Sequence, residues 1–238
     1  MTPQSVYESP WHHPGLLASL GLVALTLAGA ELLRAGPEGR ARSPFRAGWL
    51  AVFAPLIVLD AWLTTSPSPL GPAAGRVAAM ALVILGDARL YLLLERFSRD
   101  PHPRATRPLA PALGSALALS FVASLAVAAA NLLLPAVFAV TRHSFLLYEL
   151  LSLAMLLALR FGLLPSRLDA RGASPAVRRW VLGLVAFFAV QYTLWATADV
   201  LILSGVSAGW YLRLVPNVMY YGLFVEFVRR TSPPELRP

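Results

Sequence analysis

The sequence predicts an all-α integral membrane protein in which seven helices cross the bilayer, with the N-terminus outside and the C-terminus inside. Of the 238 residues, 57% are hydrophobic and only 13% are charged, and the mean hydropathy is +0.64, as in multi-pass membrane proteins. Seven apolar stretches are each long enough to cross the hydrocarbon core, which takes about 20 helical residues. Arginine is concentrated in alternate connecting loops, which predicts the orientation.

The predicted spans use most of the chain, so we expect a single transmembrane domain over residues 1–238. The spans are residues 15–33, 47–65, 76–97, 109–134, 144–164, 180–203 and 210–228. Residues 1–14 contain Glu8 but no lysine or arginine, so they lack the positive region of a secretory signal and are expected to remain as an external segment. Residues 229–238 are expected to form a cytoplasmic tail.

The arginines decide which side of the membrane each loop occupies. All 20 basic residues are arginine, and 15 of them lie in alternate loops and the C-terminal tail, whereas the opposite side has only Arg76 and Arg142. The positive-inside rule therefore makes the arginine-rich side cytoplasmic, in a bacterial cytoplasmic membrane. The predicted inner arginines are Arg34, Arg40, Arg42, Arg46, Arg96, Arg99, Arg104, Arg107, Arg167, Arg171, Arg178, Arg179, Arg229, Arg230 and Arg237. Tryptophans are expected at the interfaces, with Trp11, Trp62 and Trp210 outside and Trp49 and Trp180 inside.

Composition also excludes several classes of protein and site. Without lysine the chain cannot form the Schiff base of a retinal pigment, and without cysteine it has no disulfide, thiolate nucleophile or cysteine metal site. The four histidines, including His12, His13, His102 and His143, show no HxxxH or HExxH spacing, and phosphate-loop and dinucleotide motifs are absent. We therefore predict no metal and no other cofactor. The net charge of +8 follows from the loop arginines, so no nucleic-acid partner is expected, and the expected partners are membrane lipids and a hydrophobic small molecule.

The third span, Val77–Phe97, carries charges in its interior. A charge at the bilayer centre costs about 3 kcal/mol on insertion scales, so such side chains usually face partners or a polar cavity. Asp87, Tyr91 and Glu95 follow each other at intervals of four residues and share one helical face, which we expect to point inward. Arg89 and Arg96 share another face and are expected to extend toward the nearer water surface. We interpret all of these polar residues as structural and expect the other helices to pack around this span.

Ionisable residues from four other spans occur at a similar depth in the outer third of the membrane. They are Asp60, Glu149, Asp199 and Arg213, with Asn217 one turn deeper than Arg213. If they converge, they form a polar, aromatic-lined cavity that opens to the outer side. The candidate catalytic residues are Asp60, Asp199, Glu149 and Asn217, and the candidate ligand-binding residues are Arg213, Trp195, Tyr192, Gln191, Tyr220, Tyr221 and Trp62. The alternative is structural: buried Asp–Arg pairs, such as Asp60 with Arg213, can simply tie helices together.

Three short segments resemble one enzyme family. PLIVLDAW (Pro55–Trp62), RGAS (Arg171–Ser174) and NVMYYGLFVEFVR (Asn217–Arg229) are similar to segments of the seven-helix, membrane-bound terpene cyclases of meroterpenoid and indole-terpenoid pathways. The resemblance implies a seven-helix fold and protonation of an epoxide or alkene by a span-2 glutamate that a span-7 aspartate assists. The matching positions are Asp60 and Asn217. The first has a shorter side chain than the family residue, and the second is an amide that cannot carry the proton.

These observations lead to three functional hypotheses. The first is an intramembrane enzyme, a lyase or isomerase of the cyclase type, which protonates a lipid or isoprenoid with a carboxylic acid while Trp195, Tyr220 and Tyr221 shield the resulting cation. The second is a receptor-like or sensory module that binds a small hydrophobic ligand and needs a protein partner for its output. The third is a small transporter, which is less favoured because no internal repeat is evident.

Overall fold

Helices are the only regular secondary structure among the residues that the structure describes. The structure is a computed structural model, and it describes residues 2–34, 44–64, 69–101 and 108–234. The α-helices are α1 (Pro3–Tyr7), α2 (Leu17–Arg34), α3 (Pro44–Leu63), α4 (Pro72–Arg99), α5 (Ala110–Leu133), α6 (Thr141–Ala158), α7 (Leu164–Ala170), α8 (Pro175–Leu203), α9 (Ala208–Val218) and α10 (Phe224–Thr231). Two π-helical segments, Leu159–Leu163 and Met219–Leu223, continue directly into α7 and α10. The segment Trp11–Leu16 leads into α2 and is kinked at His13, whose backbone is not helical.

Among the described residues, six helices are long and apolar enough to cross a membrane, so the chain is a multi-pass membrane protein. They are Trp11–Leu33, Phe45–Leu63, Val77–Arg99, Ala110–Leu133, Thr141–Ala170 and Pro175–Leu203, which correspond to the first six predicted spans. The predicted seventh span lies in α9, the π segment and α10, which are helical together from Ala208 to Thr231. This last helix is not among the six. Its polar residues, including Arg213, Asn217 and Glu226, make it less apolar than the others.

Consecutive helices pack side by side and the chain closes on itself. Contacts join α2 to α3, α3 to α4, α4 to α5, α5 to α6, α6 to α8 and α8 to α9, and the last π segment packs back against α2. Helix α4 also crosses the bundle to contact α8. In α4, 61% of the span is buried inside the protein, compared with 17% in α5. The expectation that the other helices pack around the third span is therefore confirmed.

The two ends of the bundle differ in charge, and we name them by their contents. The arginine-rich end contains Arg46, Arg99 and Arg167, and the N-terminal end contains Tyr7 and Arg142. At the arginine-rich end, Arg46 is buried and donates to Glu31 of α2 (2.6 Å), to Ser232 Oγ (2.8 Å) and to the Arg229 carbonyl (3.1 Å). Arg46 therefore connects α3 to α2 and to the C-terminal end of α10, in addition to any role in orienting the protein in the membrane. Arg40, Arg42, His102, Arg104, Arg107 and Arg237 lie outside the described residues, as do the side chains of Arg34 and Arg76.

Two tryptophans expected at the inner interface belong to the core instead. Trp49 and Trp180 are 3% and 4% exposed, so their interfacial assignment is wrong. The Trp49 indole nitrogen donates to the Arg89 carbonyl (2.9 Å), and Trp180 packs edge-on against Phe97. Aromatic side chains are large enough to fill the space between α3, α4 and α8, and here packing outweighs the preference of tryptophan for an interface. Trp11 and Trp62, by contrast, are exposed on the outside of the bundle.

Candidate functional site

Three of the four predicted outer residues meet at the N-terminal end of the bundle. Arg213 of α9 donates through Nη1 to Glu149 Oε1 of α6 (3.1 Å) and to Asp199 of α8. Arg142, in the first turn of α6, also donates to Asp199 (3.2 Å). We call Arg142, Glu149, Asp199 and Arg213 the charge cluster. It contains two acids and two arginines, so the charges within it balance.

Asp60 does not belong to the charge cluster, and it is not the partner of Arg213. It lies on α3. Its carboxylate interacts electrostatically with Arg89 of α4 and accepts hydrogen bonds from the phenols of Tyr220 and Tyr221. Thr64, one turn along α3, approaches Asp60 Oδ1 (3.4 Å) and also contacts His13 Nε2 (3.3 Å). The structural alternative based on an Asp60–Arg213 pair is therefore wrong, because the rotation of α3 turns Asp60 toward α4.

A small crevice between α3 and α4 reaches the Asp60 carboxyl. Its polar lining is Asp60, Arg89 and Tyr220, and its apolar lining is Leu56, Ile57 and Leu82. Gly86 completes the wall, and a Cβ at this position would overlap the Tyr220 hydroxyl. The enclosed volume of about 10 Å³ is enough for a single water molecule. The absence of a side chain at Gly86 thus lets the phenol reach the space beside Asp60.

Arg89 turns inward rather than toward water, so the expectation for this residue is wrong. The side chain is only 1% exposed, and its guanidinium lies over the ring of Tyr220 (4.0 Å) and near that of Phe224 (5.1 Å). Nη2 donates to the Tyr220 carbonyl (3.0 Å). Residues 86–98 of α4 are all buried inside the bundle, so the Arg89 side chain does not reach water. Aromatic faces together with the nearby acids Asp60 and Asp87 stabilise the cation instead.

The Asp87 stripe faces inward, as expected, and each acid on it has partners. Asp87 accepts hydrogen bonds from the phenols of Tyr148 and Tyr192, the second at 2.5 Å. Tyr91 is buried in the core. Glu95 pairs with Arg99 (2.7 Å) and with Arg167 of α7 (2.8 Å).

Arg96 was expected to reach the water surface, and this is wrong as well. The side chain is buried, with its guanidinium 3.6 Å from the Asp100 carboxylate and 5.6 Å from the centre of the Phe45 ring. The partner is one helical turn further along the chain, where α4 ends, so Arg96 is neutralised locally without leaving the protein.

Asn217 lies beside the charge cluster and links it to the N-terminal segment. The Trp195 indole nitrogen donates to Asn217 Oδ1 (2.8 Å), which orients the amide so that Nδ2 faces away from Trp195. Nδ2 then donates to the Tyr7 hydroxyl (3.4 Å) and to His12 Nε2 (3.3 Å). The Tyr7 oxygen also accepts from Arg213 Nε (3.1 Å). Asn217 and Asp60 are therefore parts of two different sites.

Sequence reasoning missed the contribution of the N-terminal segment. Residues 1–14 were expected to be external, yet Tyr7 and His12 contact side chains of α9, and His13 reaches Thr64 just after α3. The only sequence signal is the presence of an aromatic residue and two adjacent histidines just before the first span. Tyr148 was missed for a similar reason, because nothing in the sequence relates it to Asp87.

Of the remaining predicted binding residues, four lie between the Asp60 crevice and the charge cluster, and Gln191 and Trp62 are not among these four. Tyr192, Trp195, Tyr220 and Tyr221 form a chain of aromatic contacts between the two sites, with neighbouring ring centres 4.8–5.7 Å apart. Gln191 is fully buried, and its amide has no hydrogen-bond partner among the described residues. Trp62 is 58% exposed and belongs to neither site. Within the part of the chain that the structure describes, no three histidine or acidic side chains are grouped closely enough to hold a metal ion.

Comparisons with protein-family models, with curated proteins and with solved structures found no match to this chain.

Proposed function

We propose that the protein is an intramembrane enzyme that acts on a lipid or isoprenoid, with Asp60 in its acid form as the proton donor. The observation that carries this proposal is the position of Asp60 at the end of a crevice whose other walls are largely apolar. An apolar substrate with one reactive double bond or oxygen matches such a lining. The resemblance of three short segments to membrane-bound terpene cyclases supports the same interpretation.

The crevice lies between two helices that also face the outside of the bundle. Leu59 of α3 and Val83 of α4 are both exposed, one residue from Asp60 and from Leu82 respectively. A substrate dissolved in the bilayer could therefore enter sideways between α3 and α4. Because the crevice holds only about one water molecule, entry requires these helices to separate.

The residues around Asp60 suggest how the proton is controlled. Tyr220 and Tyr221, and not Asn217, are the residues of the last helix that interact with Asp60. Tyr220 also lines the crevice, so we assign the assisting role to Tyr220. The ring of Tyr220 already faces the Arg89 guanidinium, so Tyr221 and Trp195 are the better candidates to stabilise a substrate cation. Arg89 would balance the Asp60 carboxylate after the proton has left.

Asp60→Asn is expected to preserve the fold and to lower turnover about 10²-fold or more, because the amide keeps the shape and loses only the transferable proton. The substrate would first be identified as a co-purifying lipid by mass spectrometry, and product formation would then be compared between variants. Asp169→Asn, an exposed acid on α7, is the matched control and should leave turnover unchanged. An Asp60→Asn variant with full turnover would eliminate Asp60 as the acid.

The receptor-like alternative is favoured by one observation. The charge cluster and Asn217 lie at the N-terminal end of the bundle, in contact with a chain segment that a ligand could move. No comparable observation favours a transporter.

We further propose that α9 and α10 form a seventh span, so that the N-terminus is external and the C-terminus is cytoplasmic. A phosphatase reporter fused after Arg230 should be inactive, and one joined before Trp11, behind an export-competent leader, should be active. The positive-inside rule is the reason, because the described loop arginines gather at the end where α10 finishes. Phosphatase activity at the C-terminus would reverse the assignment.

A further inference from the structure

We propose that Arg213 and Asn217 form a binding site for the hydroxyl of a phenol or quinol dissolved in the membrane, and that Tyr7 occupies this site as a built-in substitute. The proposal concerns the N-terminal end of the bundle and does not depend on Asp60. It rests on four features: the seat of the Tyr7 ring, the orientation of the two donors, the charge balance around them, and the attachment of α1.

The seat of Tyr7 matches a flat ring with one oxygen. Its ring centre lies 4.7 Å from that of His12 and 5.3 Å from that of Trp210, so it contacts two aromatic side chains. Its oxygen accepts hydrogen bonds from Arg213 Nε and Asn217 Nδ2. Aromatic contacts select the ring and two converging donors select the oxygen, which together define a phenol.

The donors are held in place by contacts that do not involve the Tyr7 side chain. Trp195 binds the amide oxygen of Asn217, which leaves Nδ2 directed at the Tyr7 position. The Tyr7 carbonyl accepts from His12 Nδ1 (2.7 Å), so Nε2 of His12 is the acceptor for the second Nδ2 proton. Glu149 and Asp199 occupy Arg213 Nη1, so Nε remains available for the phenol oxygen. A site of this kind is preorganised for its ligand.

The charge balance favours a neutral ligand over an anion. Two acids and two arginines make up the charge cluster, and Arg213 and Asp199 are both buried. An anionic headgroup would add an uncompensated charge beside the two carboxylates, at considerable cost in a poorly hydrated setting. A phenolic hydroxyl brings no charge and satisfies both donors.

Tyr7 sits on a segment that can leave at low cost. Helix α1 has five residues and no buried residue, and its Thr2 cap lies within its own turn. It packs mainly against α9 and the Trp11–Leu16 segment, and the Arg142 guanidinium lies 5.9 Å from the centre of the Tyr7 ring. Removing Tyr7 without replacement, however, would leave buried donors of Arg213 and Asn217 unsatisfied, which costs about 1–3 kcal/mol for each buried group. A phenol from the membrane would remove that penalty, and this is what allows it to compete with Tyr7.

The first test uses 4-methylphenol, which is the tyrosine side chain as a free molecule. The full chain with Tyr7→Ala should melt several degrees below the native chain in detergent, and 4-methylphenol should restore at least half of that loss in a saturable manner. Toluene, which lacks the hydroxyl, should restore clearly less. Tyr7→Phe fills the ring position, so its melting temperature should not respond to 4-methylphenol. Equal effects of the two compounds, or equal effects on the native chain and Tyr7→Ala, would overturn the proposal.

The second test asks whether a membrane quinol displaces Tyr7 from the native site. Because the chain has no cysteine, Gln4→Cys allows a single fluorophore on α1, with Asp169→Cys as the control at the opposite end. Adding 2-decylhydroquinone should increase quenching by aqueous iodide at position 4 and leave position 169 unchanged. In the Gln4→Cys chain with Asn217→Leu, the response should fall at least tenfold in apparent affinity. No response up to the solubility limit would show that Tyr7 is only a structural anchor.

Neither outcome depends on the proposed enzyme. Asp60→Asn should bind the quinol as the native chain does, whereas turnover at Asp60 should survive Tyr7→Phe. The two proposals can therefore fail separately.

Discussion

Arg213→Gln should lower the free energy of unfolding by about 3–5 kcal/mol, the largest effect we expect from a single neutral substitution in the charge cluster. Arg213 is the shared partner of Glu149 and Asp199, and its loss leaves one buried carboxylate with no partner and the other with Arg142 alone. The measurement is unfolding in detergent, followed by melting temperature and by loss of the monodisperse species. The control is Arg178→Gln at the exposed Arg178–Asp169 pair, where the expected change is about 0–1 kcal/mol.

A second substitution distinguishes this ion pair from a general effect on the last helix. Adding Asp199→Asn to Arg213→Gln leaves Glu149 and Arg142 as the two remaining charges of the cluster, and these interact electrostatically. One acid again matches one arginine, so much of the lost stability should return. Adding Asp60→Asn instead should give no rescue, because Asp60 faces α4. Rescue by Asp60→Asn and not by Asp199→Asn would mean that the helices are rotated differently from the arrangement described above.

Asp87→Leu should also be strongly destabilising, and by more than Asp87→Asn. Leucine leaves the buried phenols of Tyr148 and Tyr192 without their common acceptor, at about 1–3 kcal/mol for each orphaned group. Asparagine keeps an oxygen that can accept from one phenol and an amino group that can donate to the other. Thermal unfolding of both variants in detergent measures the difference.

The two tyrosines provide an internal check on the Asp87 prediction. In the Asp87→Leu background, the further changes Tyr148→Phe and Tyr192→Phe remove the orphaned hydroxyls, so the triple variant should be more stable than Asp87→Leu alone. If Asp87→Leu and Asp87→Asn proved equally stable, the Asp87 carboxylate would have to face water or lipid headgroups, in conflict with its burial.

The depth of the site residues in the membrane could be predicted from the sequence, but the rotation of the helices and the contacts between distant segments could not. The depth of Glu149, Asp199 and Arg213 follows from counting residues along apolar helices, and the structure does bring these three together. Asp60 has a similar depth but a different helical rotation, so depth alone grouped it wrongly. Tyr7, His12 and Tyr148 could not be found this way, because their roles depend on contacts between segments far apart in the chain.

The class of protein and the positions of most helices could be predicted from the amino-acid sequence alone. Hydropathy over about 20 residues is a local property, and in a bilayer an apolar run of that length must satisfy its backbone as a helix, so six predicted spans appear as six helices. The inward face of Asp87 was also predictable, because a charge in an apolar span has few other places to go.

Which charged side chains pair with each other depends on the tertiary structure. Pairing depends on the order of the helices around the bundle and on the rotation of each about its axis, and neither is encoded in any single span. That is why Arg89 stacks on Tyr220 instead of reaching water, why Arg213 pairs with Asp199 instead of Asp60, and why Trp49 fills the core. It is also why a polar N-terminal segment with no apolar run of its own completes a site inside the bundle: two buried donors on α9 need an acceptor, and the Tyr7 hydroxyl supplies it.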